Sequence, residues 1–452
     1  MPFVSKSFVV PLACLLLVLA SRVPVQAQVP LRDDDQHWVA SWAAAPVGAG
    51  EALSPVTIRQ VVRTSLGGAA VRVRLSNLFG SQPLTIGPVR LARHADGVAI
   101  QAGTDRAVTF TGLPQVTLPP GGSVLSDAVT LPVKALERLS ISLYLPQGAT
   151  APTVHQVGNQ TVYLARGDLT SQSRFEPEGE PDDTRYLLTD LEVATPAGAR
   201  AFVVLGDSIT DGVGSSENAD ARWPDRLAER LQREPMLASV AVVNAGIAGN
   251  RILNDGVAPY RGPSSLSRLQ RDVLDRPGVR WMLLLQGGND ISASDRLEAP
   301  DQKVSAAQII EGMRQIIARA RAHGVQVWGA TLLPRGGTTF PAPPSAAAIA
   351  KREAVNAWIR ESGAFDTVVD FDRVMRDPAQ PDRLRPEYDS GDHLHPNDAG
   401  YQAMADAIDL ARLANGDGSS ANGTMTKRSR AATGIRSAGH SCASRPGWAD
   451  PS

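Results

Sequence analysis

The chain has 452 residues, of which 43% are hydrophobic and 20% are charged, and its formal net charge at pH 7 is -1. A chain of this length exceeds what one hydrophobic core usually organises, so two domains with extra terminal segments are expected. The near-zero net charge provides no general attraction to nucleic acid or to an anionic membrane, so neither is predicted as a partner.

The first 27 residues have the features of an export signal. Lys6 precedes an apolar run over 8–20, and Val25-Gln26-Ala27 has the small-residue spacing that signal peptidase accepts. The run is shorter than the roughly 20 residues needed to cross a bilayer. We therefore predict cleavage after residue 27, a secreted or periplasmic protein, and no stable membrane insertion. Cys442 is then the one remaining cysteine, so no internal disulfide is expected.

Residues 36–188 are predicted to form an antiparallel β-sandwich domain. Apolar residues alternate in the run 139–145, as they do when one face of a strand is buried, and turns such as Gly67-Gly68 and Asp96-Gly97 separate the runs. The predicted strands are 57–64, 70–75, 84–92, 107–110, 128–133 and 139–145. The polar segment 168–183, which contains several Pro and Gly, is predicted to be a linker.

A different pattern begins near residue 200, where apolar runs alternate with longer helical stretches. This alternation is typical of βαβ units around a parallel sheet, and it predicts an α/β domain over 198–413. The predicted strands are 201–205, 240–244, 281–285, 325–332 and 367–371, and helices are predicted at 304–322 and 345–361. The segment 414–452 has few apolar residues and is predicted to be a disordered tail.

A candidate nucleophile follows the first strand of this domain. Gly206-Asp207-Ser208 places Ser208 at the carboxyl edge of the sheet, where open α/β folds build their sites. A Gly-Asp-Ser triplet is also a common turn, so it indicates little alone. A serine hydroxyl needs a base within hydrogen-bond reach to become a strong nucleophile.

The loop before the last predicted helix contains a candidate base. Asp392 and His395 are three residues apart, so one turn of backbone can bring the carboxylate to the imidazole and fix its tautomer. His393 would then point elsewhere. The alternative is that Asp392, His393 and His395 bind a metal ion, but no Cys or Glu cluster supports such a site, and we predict none. Asn397 and Asp398 are interpreted as capping residues of the helix that follows.

Two further strand ends carry candidate donors for an oxyanion. Gly249 belongs to the run Asn244–Arg251 after the second strand, and Asn289 belongs to Gly287-Gly288-Asn289-Asp290 after the third. Gly246 is an alternative donor to Gly249. Asp207, Asp211 and Asp290 are interpreted as residues that tie loops together, and Arg251 is left open between lining the cleft and a surface role.

The ordered set of Ser208, Gly249, Asn289 and Asp392 with His395 resembles the four blocks of the SGNH/GDSL hydrolases. The resemblance covers about residues 200–412, and the β-rich region resembles the N-terminal domain of secreted bacterial members. It implies a flavodoxin-like parallel sheet flanked by helices, a Ser208-His395-Asp392 triad, and an oxyanion hole formed by Ser208 N–H, Gly249 N–H and the Asn289 side chain. No cofactor is implied.

Alternative enzyme classes fit the sequence less well. An α/β-hydrolase elbow needs glycine where Thr210 stands, and a dinucleotide fingerprint starting at Gly212 has Glu217 in place of its third glycine. The low aromatic content of 5% and the lack of a long apolar lid favour small acyl groups. We therefore expect a secreted esterase acting on a small-molecule ester or an O-acetylated glycan. The alternatives are lipase, phospholipase-like or thioesterase activity, or a non-catalytic carbohydrate-binding protein.

Overall fold

The computed structural model describes Met1 and residues 37–416, except 257, 297–301, 340 and 341. The predicted export signal, apart from Met1, and the predicted tail beyond residue 416 lie outside the described residues, so both stay predictions. The chain divides into one unit over Met1–Ile408, which contains all the sheets, and a second over Asp409–Ser452. The described part of the second unit is the helix Leu410–Gly416.

An antiparallel β-rich region occupies the first half of the larger unit. Its two main sheets have the strand orders β1-β14-β4-β9 and β12-β3-β10-β6-β7, and two small sheets, β13-β11-β2 and β5-β8, complete it. Its strands are β1 (His37–Ala43), β2 (Gly48–Ala49), β3 (Val56–Arg63), β4 (Val71–Ser76), β5 (Leu84–Ile86), β6 (Val89–Arg93), β7 (Arg106–Val108), β8 (Val116–Leu118), β9 (Ser123–Leu125), β10 (Arg138–Leu145), β11 (Thr153–His155), β12 (Val162–Arg166), β13 (Arg185–Tyr186) and β14 (Leu188–Thr195).

The central strand β10 is covered on both faces. Its apolar residues are buried as the alternation predicts, but Ser140 and Ser142 on the other face are buried too. Ser142 Oγ accepts a hydrogen bond from Arg59 Nε at 2.8 Å, so a long polar side chain of the neighbouring strand covers that face. Alternation therefore locates the strand correctly but understates how much of it is buried.

Three details of the predicted β-rich region are wrong. The run 84–92 is two strands, because Pro88 has no N–H with which to continue a ladder. The run 128–133 contains Pro132 and forms only isolated bridges, at Val129 and Val133. The segment 168–183 is not a linker, since the buried Arg59 guanidinium binds carbonyls within it and β14 then returns to pair with β1 and β4.

A five-stranded parallel sheet follows, with the order β16-β15-β17-β18-β19. It is the 2-1-3-4-5 order of flavodoxin-like folds, so the predicted fold class is confirmed. The strands are β15 (Arg200–Gly206), β16 (Val240–Gly246), β17 (Val279–Leu285), β18 (Gln326–Ala330) and β19 (Thr367–Val369). Each of their boundaries lies within two residues of the predicted one.

Helices flank this sheet. Those of the larger unit are α1 (Ser208–Asp211), α2 (Trp223–Arg233), α3 (Ser265–Leu269), α4 (Gly288–Arg296), α5 (Ala306–Ala322), α6 (Ala346–Glu361), α7 (Phe371–Met375) and α8 (Asp398–Asp406). The helix α9 (Leu410–Gly416) belongs to the second unit. The two predicted helices are α5 and α6, whose starts are fixed by the capping side chains of Ser305 and Ser345. Within the described ranges, none of the helices has the length and apolar content to cross a bilayer.

The β-rich region packs directly against one edge of the parallel sheet. Val242 of the edge strand β16 donates its N–H to Ser65 Oγ at 3.1 Å, and Ala40 of β1 donates to the Pro277 carbonyl at 3.0 Å. Apolar residues of both regions belong to one continuous core. The β-rich region thus covers a sheet edge that would otherwise expose unpaired backbone groups. The predicted domain boundaries, 36–188 and 198–413, stay predictions.

Candidate active site

Ser208 lies directly beyond the carboxyl end of β15, at the point where the strand order reverses. It is the first residue of α1, and the Asp207 side chain caps this helix by accepting from the Ile209 N–H at 3.2 Å. A Cβ atom at position 206 would lie 2.0 Å from Thr210 Oγ1, so only glycine allows the helix to turn back so closely onto the strand. This tight turn presents the Ser208 hydroxyl at the sheet edge, where ligands bind in such folds.

The structure brings the predicted base and its carboxylate to this serine across the whole domain. His395 Nε2 lies 2.8 Å from Ser208 Oγ, and His395 Nδ1 lies 2.5 Å from Asp392 Oδ2. Since a carboxylate can only accept, Asp392 holds the proton on Nδ1 and leaves Nε2 free to accept from the serine. The His395 side chain is largely buried, with 13% exposed, whereas 46% of the Asp392 side chain is exposed.

The loop itself holds Asp392 as a carboxylate. Its Oδ1 accepts from the backbone N–H groups of Leu394 at 2.9 Å and His395 at 2.8 Å. Partial burial alone would raise the pKa of Asp392, but these bonds and the His395 ring outweigh it and hold the pKa well below its usual range. The helix α8 that follows this loop is tied to the segment after α1, since Ser216 donates its N–H to Asp398 Oδ1 and Tyr401 donates to the Val213 carbonyl.

The other histidine of this loop points away, as predicted. His393 Nδ1 lies 2.6 Å from Asp389 Oδ2, and half of its side chain is exposed. Its ring therefore does not converge with His395 on a common metal position. Asn397 is the N-cap of α8, with its side chain accepting from Gly400 N–H at 3.0 Å, as predicted, whereas Asp398 ties the loop to Ser216 instead of capping the helix.

The remaining two predicted residues lie beside each other at the same edge. Asn289 Nδ2 donates to the Asn250 carbonyl at 3.1 Å, so the loop after β17 is fastened to the loop that carries Gly249. Gly249 adopts a φ of 74°, which favours glycine. The N–H of Gly246 donates to Asn244 Oδ1 at 2.8 Å, so it is already used. This contact favours Gly249 over Gly246 as a backbone donor.

Buried aspartates fix these loops from behind. Asp290 accepts from Ile252 N–H at 2.9 Å and Leu253 N–H at 3.1 Å, and burial raises its pKa to about 6 despite those bonds. Asp211 Oδ2 accepts from Ala248 N–H at 2.8 Å. The predicted loop-tying role of Asp211 and Asp290 matches these contacts, whereas the Asp207 side chain caps α1 instead.

Residues 204–403 match the GDSL-like Lipase/Acylhydrolase family. The chain therefore contains a GDSL-type hydrolase domain. The enzyme interpretation is thereby confirmed over the non-catalytic carbohydrate-binding alternative, and the resemblance drawn from the sequence motifs is correct.

Partial similarities to individual proteins accompany the family match. The hydrolase is 26% identical to an L-lactate dehydrogenase from Limosilactobacillus fermentum over 134 residues. This stretch is 30% of the present chain and spans 40% of the dehydrogenase's length. A putative lipolytic protein of the G-D-S-L family from Desulfitobacterium hafniense is 19% identical, with a TM-score of 0.34, 47% of this chain and 98% of that chain covered. A carbohydrate acetylesterase from Sinorhizobium meliloti is 14% identical, with a TM-score of 0.37 and coverage of 47% and 99%.

Sequence reasoning missed the side chains that hold the hydrolase's strand ends together. Arg268 is fully buried, donating to the Gly206 carbonyl at 3.0 Å and the Ala245 carbonyl at 2.7 Å, while Asp272 balances its charge at 3.1 Å. Arg268 also donates to the buried Asn250 side chain. An arginine on a short helix looks like a surface residue, and its main partners are backbone carbonyls with no sequence signature. No feature of the sequence could have identified it.

Arg251 was predicted either to line the cleft or to lie on the surface, and the structure instead buries it. Only 2% of the residue is exposed, and its guanidinium donates to the Asp255 carbonyl and to Gln302 Oε1, so it braces the loop from inside the hydrolase.

A small pocket of about 390 Å³ opens at Ser208. Its wall is largely apolar, and Arg335, which donates to the Gly288 carbonyl at 2.5 Å, closes one side. The lining residues are Asp207, Ser208, Ile209, Leu285, Gly288, Asn289, Leu332, Leu333, Arg335 and Leu394. Arg335 also lines a neighbouring pocket of about 470 Å³ whose wall includes Ser292, Asp295, Thr338 and Asp382.

Proposed function

We propose that the hydrolase cleaves carboxylic esters through a covalent acyl-enzyme formed on Ser208. The observation that carries this proposal is a pair of hydrogen bonds, one from Ser208 to His395 and one between His395 and Asp392. Ser208 and His395 are 187 positions apart in the sequence. A hydroxyl with a neutral imidazole on one side, itself oriented by a carboxylate, is the arrangement that activates a serine nucleophile.

The reaction has two steps. As Ser208 Oγ attacks the acyl carbonyl, His395 Nε2 takes the hydroxyl proton, and it then gives this proton to the departing alcohol as the ester C–O bond breaks. Water next loses a proton to His395 and attacks the acyl-enzyme, which releases the carboxylic acid and restores Ser208. Asp392 stays ionised throughout and stabilises the imidazolium that forms in each step.

Both steps pass through a tetrahedral oxyanion. We assign its donors to Ser208 N–H, Gly249 N–H and Asn289 Nδ2, because these groups end three adjacent strands of the sheet and Ser208 and Asn289 line one pocket. Each such donor is worth roughly a hundredfold to a thousandfold in rate. The chemistry requires no metal ion and no organic cofactor.

The shape of the pocket supports a small acyl group. Leu332 and Leu333 are buried and line the same pocket as Ser208, where they form an apolar wall, and this small pocket suits a short acyl chain better than a long one. The neighbouring pocket beyond Arg335 combines hydroxyl, carboxylate and guanidinium groups, which suit the hydroxyls of a sugar. We therefore propose an O-acetylated glycan as substrate, with its acetyl group in the pocket at Ser208 and its sugar in the neighbouring pocket. Together with the export features of residues 1–27, this supports an extracellular or periplasmic substrate.

A chain-length series tests the substrate proposal. With nitrophenyl esters from acetate to decanoate, we expect kcat/KM to be highest for the shortest acyl groups and to fall once the chain meets the leucine wall. Acetylated xylan and acetylated pectin, assayed in parallel on protein lacking its first 27 residues, should release acetate. A preference for long acyl chains would instead indicate a lipase.

A wall variant provides the matched control. Leu333→Ala removes part of the wall and leaves Ser208 and His395 in place, so we expect the acyl chain length with the highest kcat/KM to increase. An unchanged chain-length profile would place the acyl group elsewhere.

A further inference from the structure

A buried histidine of the β-rich region reaches the underside of the active site. His155 ends β11, with 5% of its side chain exposed. Its Nδ1 lies 2.8 Å from the Ala45 carbonyl, and its Nε2 lies 3.0 Å from Asp211 Oδ1 and 3.1 Å from the Val157 carbonyl. All three partners can only accept, so both ring nitrogens must donate, and the ring is an imidazolium.

The partner of this imidazolium connects to both sides of the proposed catalytic machinery. Asp211 is the last residue of α1, the single-turn helix that begins with Ser208. While its Oδ1 accepts from His155, its Oδ2 accepts from the N–H of Ala248, the residue before Gly249. One carboxylate therefore spans the nucleophile's helix and the loop of the proposed oxyanion donor, and His155 holds that carboxylate from below.

We propose that His155 is a positioning residue for ester hydrolysis, through which the β-rich region sets the spacing between Ser208 and Gly249. The proposal rests on the proposed function, because it takes Ser208 as nucleophile and Gly249 as donor. Without the imidazolium, Asp211 Oδ1 would be a buried charge with no partner, and such a group moves toward water or becomes protonated. Either change disturbs the contact with Ala248.

Charged groups around the ring decide its protonation. Burial alone lowers the pKa of His155, but the Asp211 carboxylate and the Ala45 carbonyl outweigh it and raise the pKa above its ordinary value. Arg222 opposes this from the segment before α2, and Arg185 is the register partner of His155 on β13. The protonated ring therefore stabilises the fold fully below the ordinary histidine pKa, and this stabilisation is lost as the pH rises through the raised value.

The test is His155→Gln, which keeps one neutral donor and removes the charge. Turnover is measured per active site, counted by titration with an organophosphonate that labels Ser208, so that misfolded protein does not contribute. We expect kcat to fall about ten- to a hundredfold, since a misplacement of about 1 Å can cost ~10²-fold, while KM stays within about twofold. His94→Gln is the matched control, because that ring is half-buried in the same region and contacts Ser140 instead of the site.

Two further readouts separate positioning from a merely structural role. In an Asp211→Asn background, His155→Gln should cause no further loss of kcat, whereas independent effects would multiply. The gap in Tm between wild type and His155→Gln should also narrow as the pH rises. A His155→Gln enzyme with lower Tm but wild-type kcat per titrated site would overturn the proposal. Wild-type protein that the organophosphonate does not label at Ser208 would overturn the proposed function instead.

Discussion

Replacing Ser208 by alanine is expected to lower kcat by about 10⁵- to 10⁶-fold, the effect typical of removing the nucleophile of a triad. The substitution deletes the atom that forms the acyl-enzyme, while the oxyanion donors remain and should leave a small rate above that of buffer. Initial rates with nitrophenyl acetate, measured over several enzyme concentrations, give the residual kcat.

Folding should be unaffected, because within the described residues the Ser208 hydroxyl hydrogen-bonds to His395 alone. The Tm is expected to change by less than about 4 °C, the shift that corresponds to roughly 1 kcal/mol. Ser215→Ala is the control, since that hydroxyl lies in the loop after α1, where it donates to the Gly212 carbonyl and accepts from Asn159 Nδ2 instead of contacting His395. Full turnover by the Ser208→Ala enzyme would assign the chemistry to another nucleophile.

Replacing His395 by alanine should cost a similar amount in kcat, because serine and histidine act as one unit. The serine hydroxyl then has no base, and its proton has no route to the leaving alcohol. Rates are measured with the same ester across pH, where the variant should depend on hydroxide concentration instead of on an imidazole.

His393, two residues before His395, provides a control substitution in the same loop. His393→Asn removes an imidazole from the same loop, and asparagine tolerates the φ of 61° found there. Since His393 contacts Asp389 and not Ser208, the His393→Asn enzyme should keep its kcat within about threefold, as expected for a substitution outside the reacting groups. Equal losses in the two variants would indicate that the loop as a whole, and not His395, supports activity.

The parallel sheet was predictable because its local signals agree. Strands β15 to β18 are largely buried on both faces and therefore form apolar runs in the sequence, and the serines that precede α5 and α6 mark the helix starts. The candidate site was predictable for a related reason. Its members directly follow strands, and parallel strands end at one edge, so Ser208, Gly249 and Asn289 had to lie near each other.

The supporting contacts could not be predicted. Arg268 binds a carbonyl 62 positions away, and His155 binds Asp211 across 56 positions and between the two regions of the fold. Backbone carbonyls carry no sequence signature, and a histidine in a β-rich segment has many possible partners. In the β-rich region, short strands and turns gave weaker patterns. The predicted strand 128–133, which contains Pro132, and the predicted linker 168–183 were therefore wrong.

The contacts that the β-rich region makes with β16 and Asp211 indicate that it supports the active site. It covers the edge strand β16 and sends one imidazolium beneath the helix of Ser208, so it supports the site from the side opposite to the substrate. A variant that weakens this support should lose turnover before it loses its fold, whereas substitutions on the outer strands should affect stability alone.

Mass spectrometry after treatment with a nitrophenyl alkylphosphonate tests the central claim most directly. The reagent traps a serine that is activated by a base, and the adduct mimics the tetrahedral state. We predict one adduct per folded chain, located on Ser208, with loss of esterase activity in step with labelling and very slow labelling of the His395→Ala enzyme. An active protein that acquires no adduct, or acquires it on another residue as activity disappears, would contradict the account.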